Sequence, residues 1–473
     1  MVAQEVVIAM GGNVGNRVAN FKNALNLMRQ AGINISRHAC LYESAPAHVT
    51  EQPSFLNSAV AATTTLEPHA LLQALKRIES HLGRSFQGMR YGPRPIDLDI
   101  IFYGNHTVET DTLQIPHKLF MERPFVLAPL IDLLDSKLDR HDHWSTHACA
   151  KGGVFRVWNE MGGERLVGRE GLKRVFPIGE RLWHFSARTT VMGILNLTPD
   201  SFSDGGRFSS VDRAVDRVCA MISEGADFID IGAQSTRPNA RRLSTEEEQS
   251  RLIPVLDALA NVSEMDGIRL SVDTFDSKVA REAVGHGANI INDVSGGCLD
   301  PTMYETIAEL GVPCVLMHMR GDPTTMMNEA NTKYFNMPQD VTGELCARLE
   351  KAESAGIPSW HIITDPGIGF AKELDQNLSL LRDMPLFRQH LIQRSMAFSH
   401  GPILIGLSRK SFLGKICANP KAEDLDAASI AALTVAIGGG ANVARVHNVK
   451  ATRDACRVAD AVYKHLQEPS ETT

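Results

Sequence analysis

Residues 190–196 read Thr190-Val191-Met192-Gly193-Ile194-Leu195-Asn196, and residues 227–232 read Asp227-Phe228-Ile229-Asp230-Ile231-Gly232. Each is a short apolar run that closes on a polar group, the length of a buried strand. Between them, 210–224 has the pattern of an amphipathic helix. The same unit recurs toward the C-terminus. Further candidate strands are 268–272, 289–293, 312–317, 361–364, 403–407 and 441–446, after a first at 190–195. Further candidate helices are 245–260, 277–286, 302–310, 339–355, 375–383, 426–437 and 450–466. Ser244-Thr245-Glu246-Glu247 opens one as a capping box, and Gly438-Gly439-Gly440 stops another. Eight strands alternating with eight helices predict an α/β domain, a (β/α)8 TIM-type barrel over 188–467. An open doubly wound sheet is the alternative, because periodicity alone does not show closure.

Upstream, the order changes. A strand at 5–10 and a helix at 16–31 precede strands at 33–43 and 56–64, a helix at 67–82 and a strand at 97–103. That β-α-β-β-α-β order predicts a ferredoxin-like α+β domain over 1–134. Residues 135–187, rich in Gly, His and charge, read as a connector that packs in part on the barrel, as a hairpin at its bottom. Residues 468–473 read as a tail.

Composition narrows the function classes. The 473 residues are 43% hydrophobic and 22% charged, ordinary for a globular protein. No apolar run is long enough to span a bilayer, and the net charge of −7 argues against a nucleic-acid surface. The eight cysteines form no C-x-x-C pair and read as buried free thiols of a reducing compartment. Met1–Met10 lacks a secretory or organelle presequence, so the expected location is cytoplasmic, or mitochondrial if a presequence has been removed.

In a barrel of this type the site lies at the C-terminal strand ends. Those ends deliver Asn196, Asp230, Asp273, Asn292, His318, Asp365, Ser408-Arg409-Lys410, Arg445 and His447. Asp273, Asn292 and Asp365 suit the amino-amide edge of a flat heterocycle, since a carboxylate accepts two parallel N–H bonds. Arg237, Lys410, Arg445 and His447 read as cations for a phosphate or pyrophosphate. Asn196 offers a neutral oxygen to Mg²⁺.

At these residues the chain resembles dihydropteroate synthase. Residues 191–206, Asp230–Pro238, Ser271–Thr274, Ile291–Asp293, Leu316–Met319, Asp365–Phe370, Ser408–Ser411 and Arg445–His447 carry the resemblance. It implies pterin binding by Asp273, Asn292, Asp365 and Lys410, with Asp230 among the substrate residues, and pyrophosphate on Arg237, Arg445 and His447. It places Mg²⁺ on Asn196 and p-aminobenzoate near Thr236, Pro238 and Ser408. It also implies that Lys410 and Arg445 are catalytic, that sulfonamides compete, and that the barrel mediates a homo-oligomer. Pyrophosphate leaves, a carbocation-like methylene develops on the pterin, and the arylamine attacks it. The second loop departs from the family: Gly232-Ala233-Gln234-Ser235 stands where Gly-Gly-Glu-Ser is common.

In the first domain Asp97-Leu98-Asp99 opens an apolar strand, and residues two apart share a face. Paired carboxylates suit Mg²⁺ and phosphoryl-type transfer, although such a pair is also a common solvated edge. Arg84, Arg90, Arg94, His117 and Arg123 surround it in sequence and suit ATP phosphates. No Walker-type phosphate loop appears. Together with Gly11-Gly12-Asn13, Gln52-Pro53, Phe55-Leu56-Asn57 and Glu79, these residues resemble hydroxymethyl-dihydropterin pyrophosphokinase over 5–135. The resemblance makes Asp97 and Asp99 ligands of Mg²⁺ on ATP, with Arg84 and Arg94 also catalytic. Asn57 and Phe125 hold the pterin with Ser44 and Pro46 nearby, and Glu79 joins the nucleotide network. Gly12 and Tyr91 stand where Ser and Trp are usual.

The two reactions are consecutive, the first making the ester that the second consumes. A pterin-dependent methyltransferase is a rival reading, but it leaves the Lys410, Arg445 and His447 cluster unexplained. A non-catalytic pterin-binding module is another. The His141-Asp142-His143, His147-Ala148-Cys149 patch matches no zinc spacing and reads as linker.

Overall fold

The computed structural model describes residues 2–47, 49–87, 91–134, 147, 149–150, 153–168, 171–197, 207–237, 240–394, 396–419 and 421–464. Arg90, Pro238, His141, His143 and the tail lie outside the described residues, as does most of the first barrel loop. The chain forms two compact units. One comprises Met1–His184 with Pro358–Trp360 and Ile392–Gly401; the other comprises Phe185–Ile357, His361–Leu391 and Pro402–Thr473.

In the first unit, strand Gln4–Gly12 lies between Asp97–Tyr103 and Phe55–Thr64, antiparallel to both. Phe55–Thr64 pairs in turn with Asn34–His38 and Leu41–Ser44. Alternation splits each strand between two cores. Val6, Ile8 and Met10 pack with Phe21, Leu25 and Met28 of helix Arg17–Gln30 and Leu71 and Leu75 of helix Pro68–His81. Val7, Ala59 and Ala61 face the other way, onto Leu127, Leu130 and Ile131 of helix Pro124–Leu133 and Trp158 of helix Gly153–Glu160. The expected β-α-β-β-α-β core is therefore present, with a second helical layer on its far face.

The connector departs from expectation. Its hairpin, Leu172–Ile178 and Arg181–Trp183, forms, but it extends the first unit's sheet and not the bottom of the barrel. Leu41 pairs with Val175 and Ser44 with Leu172, so the hairpin covers an edge that strand 41–44 otherwise leaves open.

In the second unit eight parallel strands run Thr190–Asn196, Phe228–Gly232, Arg269–Asp273, Ile290–Asp293, Cys314–Met317, Ile362–Asp365, Leu404–Ile405 and Val443–Val446. Neighbours in sequence are neighbours in the sheet, and the last strand returns to the first. A parallel bridge from Thr364 to Ile403, with Thr364 N donating to Pro402 O at 3.1 Å, joins the remaining edges. The barrel thus closes, and the open-sheet alternative falls. The seventh strand is shorter than expected and ends before Gly406, which has no side chain to pack against a neighbour. Ser244 caps helix Thr245–Leu259 through the expected capping box. All eight cysteines are free, but only Cys40, Cys314 and Cys456 are buried, while Cys149, Cys298 and Cys417 are exposed.

Candidate active sites

The first site is a cavity of about 970 Å³ in the first unit. Leu98 and Ile100 are buried in the core under helices 17–30 and 68–81, so strand alternation turns Asp97 and Asp99 to the opposite face, where both line the cavity. Arg84 and Arg94 converge on Asp97: Arg84 Nη1 pairs with one oxygen, and Arg94 Nε lies 3.0 Å from the other. Burial pushes the Asp97 carboxyl up, but Arg94 and Arg84 outweigh it and hold the group below its usual range. Among the described residues Asp99 has no arginine paired with it, only the weaker pull of His117, Lys76 and Arg84. Burial, and then the charge of Asp97, push it above the usual range. A carboxylate pair with one member uncompensated suits a divalent cation, and Mg²⁺ needs only one or two carboxylates when phosphate and water supply the rest.

Glu79 is fully buried and accepts from Leu98 N at 2.7 Å and Lys76 Nζ at 2.8 Å, with Arg84 Nη1 also 2.8 Å away. It holds the cations and does not line the cavity. At the other end, Asn57 Nδ2 donates to Ser44 Oγ at 2.9 Å, which leaves Oδ1 for a ligand N–H. Ser44, Asn57, Arg123 and Phe125 all line the cavity, and the Arg123 guanidinium lies 5.9 Å from the centre of the Phe125 ring. His117 acts on Asp99 electrostatically without lining the cavity, and neither does Pro46.

Asn13 explains why scattered motifs meet. Its Nδ2 donates to Gln52 Oε1 and Pro53 O, and its Oδ1 accepts from Arg94 N. Gly12 has a reason as well: a Cβ there would come within 2.3 Å of Pro95 O, so the usual Ser does not fit this backbone. Phe55 of the quoted motif also lines the cavity, as does Lys76, which was not anticipated. Lys76 lies three residues before Glu79 on one helix, a spacing that places both on one face.

The second site is the barrel mouth. Arg445 reaches across it, with Nε 2.6 Å from Asp230 Oδ2 and Nη2 2.7 Å from Asp273 Oδ2. Asp230 also accepts from Asn292 Nδ2 at 3.1 Å and Ser271 Oγ at 2.5 Å. With both oxygens engaged and no exposed surface, Asp230 is a brace beneath the site. It was expected among the substrate contacts, and it lies buried behind Asn292 and Arg445.

Asp273 and Asp365 are almost fully buried. Burial raises Asp273 to about 7, with Asp230 and Glu248 adding to the shift and Arg445 opposing it. Burial also raises Asp365 to about 6, against Gly367 N–H and Lys410. Lys410 Nζ sits 3.6 Å from the centre of the Phe370 ring, and burial followed by Arg445 lowers it to about 7.

His447 was expected as a cation. Burial, Arg409 and Arg445 instead lower it to about 4, and its Nδ1 lies 3.0 Å from Ser408 Oγ. At neutral pH it is a hydrogen-bonding imidazole. Thr236 and Arg237 follow the second strand, with Arg237 exposed and electrostatically close to His447. Asn196 is exposed at the end of the first strand. A single neutral oxygen does not by itself make a metal site. His318 is fully buried, between Glu344 and Lys372, and does not face the mouth. Lys372 escaped the sequence reading, since nothing in the residue pattern signals a lysine buried under a strand-end turn.

The barrel region matches the model of the pterin binding enzyme family over residues 192–447. Residues 7–135 match that of 7,8-dihydro-6-hydroxymethylpterin-pyrophosphokinase. The chain is 56% identical over 462 residues to the mitochondrial folate synthesis bifunctional protein of Arabidopsis thaliana, covering 97% of this chain and 83% of that protein.

The chain belongs to the bifunctional folate synthesis family.

Solved structures agree with that membership. The Xanthomonas albilineans dihydropteroate synthase with 4-aminobenzoic acid is 39% identical, with a TM-score of 0.54 over 61% of this chain and 97% of that one. The Plasmodium falciparum HPPK-DHPS with pteroate has a TM-score of 0.75 over 98% of both chains, and at 22% identity it shows shared fold alone. Within the folate synthesis family the methyltransferase reading has no support.

Proposed function

We propose that the chain catalyses two consecutive transfers. The first unit moves pyrophosphate from ATP to 6-hydroxymethyl-7,8-dihydropterin and releases AMP. The barrel joins that ester to p-aminobenzoate, giving 7,8-dihydropteroate and pyrophosphate. The observation that carries this reading is that each family match falls on a unit holding the matching constellation. The kinase match holds paired carboxylates among arginines, and the pterin match holds buried acceptors beside Lys410 and Arg445.

In the first site, Asp97 and Asp99 would hold Mg²⁺ on ATP, and the ion would supply charge that neutralises the phosphates. Arg84, Arg94, Arg123 and Lys76 supply further positive charge to the triphosphate. Asn57 and Phe125 hold the pterin so that its hydroxyl meets the β-phosphorus in line. In the barrel, Asp273, Asn292 and Asp365 accept from the pterin edge. Lys410 places its cation at the pterin, while Arg237 and the remaining N–H groups of Arg445 stabilise charge on departing pyrophosphate; the neutral His447 and Ser408, bonded to each other, have one proton left between them to donate. Thr236 and Ser408 border the arylamine, for which sulfonamides compete. A mitochondrial location draws support from the name of the Arabidopsis relative.

A mass-spectrometric assay with the pterin alcohol, Mg-ATP and p-aminobenzoate tests the reading. AMP and dihydropteroate should both appear. Asp97→Ala should stop the first product, and Lys410→Ala should stall the chain at the pyrophosphate ester. Absence of AMP and ester with the unaltered chain ends the reading.

A further inference from the structure

Below the barrel mouth lies a lysine that the proposed mechanism does not use. Lys372 is 3% exposed, and its Nζ is ringed by three acceptors: Gly367 O at 2.9 Å, Phe370 O at 3.0 Å and His318 Nδ1 at 3.1 Å. Three acceptors match the three hydrogens of an ammonium. A buried charge that served packing alone would be costly, and a neutral side chain of the same length would pack as well.

The turn held by this ammonium is the one that shapes the pterin end of the site. Asp365 Oδ1 accepts from Gly367 N at 2.7 Å, and Phe370 N closes the turn onto Gly367 O at 3.1 Å. Gly367 and Gly369 both have left-handed backbone, φ +68 and +82. A Cβ on Gly367 would lie 1.9 Å from His318 O, and one on Gly369 2.8 Å from Lys410 Cδ. The turn is thus wedged between the fifth strand's end and Lys410, and Phe370 lies directly under the Lys410 ammonium. Gly367 O thus accepts from both Phe370 N and Lys372 Nζ, and Asn377 Oδ1 accepts from Gly369 N at 2.6 Å, so Lys372 is the ammonium within a hydrogen-bonded turn.

His318 completes the arrangement. Burial, then Lys372, lower it to about 3, so it is neutral. Its Nδ1 lone pair receives the Lys372 proton, and its Nε2–H points to Glu344 Oε2 at 3.0 Å. Glu344 is paired in turn with Arg320. The buried histidine at a strand end is therefore explained as an acceptor for Lys372 and not as a substrate contact.

We infer that Lys372 is a positioning residue for the barrel reaction, setting Asp365, Phe370 and Lys410 for the pterin ester through the Gly367–Phe370 turn. This rests on the barrel's proposed activity. The test measures dihydropteroate formation from the purified pterin ester and p-aminobenzoate by the full chain, unaltered and as Lys372→Met, which keeps the stem and removes the ammonium. Losing a charged hydrogen-bond hub should raise KM for the pterin ester about 30-fold while KM for p-aminobenzoate stays within about twofold. The acid limb of kcat/KM should also move to higher pH, because Asp365 loses a nearby cation. Unchanged constants overturn the inference. So does a parallel rise in both KM values together with a lowered melting temperature, which is what a general staple predicts. Lys372→Gln, which keeps two donors, provides the same readout if the Met variant does not fold, and it should fall between the two. If the unaltered chain forms no dihydropteroate, the proposed activity has failed and not this inference.

Discussion

Arg445 Nη2 lies 2.7 Å from Asp273 Oδ2 in a pair whose carboxylate is buried and whose guanidinium stays partly exposed. The same guanidinium reaches Asp230 Oδ2 at 2.6 Å, so one cation compensates two carboxylates from two strands. Asp273 keeps slight exposure where Asp230 has none. Arg445 therefore opposes the upward push of burial on Asp273, and under the proposed function its remaining N–H groups serve pyrophosphate.

Arg445→Met should accordingly abolish the second reaction, by about 10³-fold, and cost the barrel about 3–5 kcal/mol, because it leaves buried charge unpaired. The destabilisation has a pH sign. Asp273 is already raised to about 7, so its folded form binds protons that the unfolded chain releases. Stability contributed by that proton is present at low pH and is lost as pH rises through the folded value. The variant's melting temperature should fall further behind the unaltered chain at pH 8 than at pH 5.5. An equal gap at both would contradict this account. AMP release by the first unit should be unaffected.

Asp97 and Asp99 are predicted to separate in their effects. Asp97 anchors Arg84 and Arg94, so Asp97→Asn should lower AMP release by at least about 10³-fold. Asp99 lacks a hydrogen-bond partner among the described residues and is raised by burial and Asp97. Asp99→Asn should increase the Mg²⁺ concentration needed for half-maximal rate, yet raise the melting temperature of the metal-free chain at pH 7.5. Because the folded carboxyl is raised, that gain should vanish once the pH drops below the ordinary carboxylate range, where the group is protonated in both states. Thermal melts in chelator at the two pH values check it, and a metal-free loss of stability would refute it.

These cases show which features the residue pattern exposes. Asp97 and Asp99 share a face because strand alternation is local, so their pairing was readable without a structure. The strand ends of the barrel were readable for the same reason: each strand is short, and its last residue lies where the loops begin. Burial and partnership were not local. Asp230 looks like Asp273 in sequence, and what sets it apart is its further bonds to Ser271, 41 residues away, and Asn292, 62 residues away, together with its complete burial. The charge of His447 depends on Arg409, Arg445 and burial. The hairpin at 172–183 was foreseen as a hairpin, but its partner is strand 41–44, and strand patterns do not name their neighbours.

The second-loop departure has a structural reason that can be tested. Gln234 Nε2 donates to Ser235 O at 2.7 Å and to Arg241 O at 3.1 Å, while its Oε1 accepts from Leu243 N at 2.7 Å. An ionised Glu keeps the acceptor and loses both donors. Gln234→Glu should therefore loosen the loop that carries Thr236 and Arg237, costing about 1–3 kcal/mol and raising KM for p-aminobenzoate about 10-fold. KM for the pterin ester should hardly change. Steady-state kinetics with each substrate varied would show it, and a variant equal to the parent would mean that the amide is not what holds the loop.

Lys410 carries the sharpest pH prediction. Its ammonium rests over Phe370 between Asp365, Asp273 and Arg445, and burial brings it down to about 7. The free protein should lose this cation as pH rises past neutrality, far below an ordinary lysine. The pyrophosphate ester brings negative charge beside it and favours the protonated form. An alkaline limb near pH 7 should thus appear in kcat/KM, which reports the free protein, and lie at higher pH in kcat, which reports the complex. Lys410→Arg keeps its charge throughout, so the limb should disappear even though the altered geometry costs about 10–100-fold in rate. Lys372, also lowered to about 7 by burial, is the competing group. A limb that persists unmoved in Lys410→Arg would belong to Lys372 and would remove Lys410 from the titration.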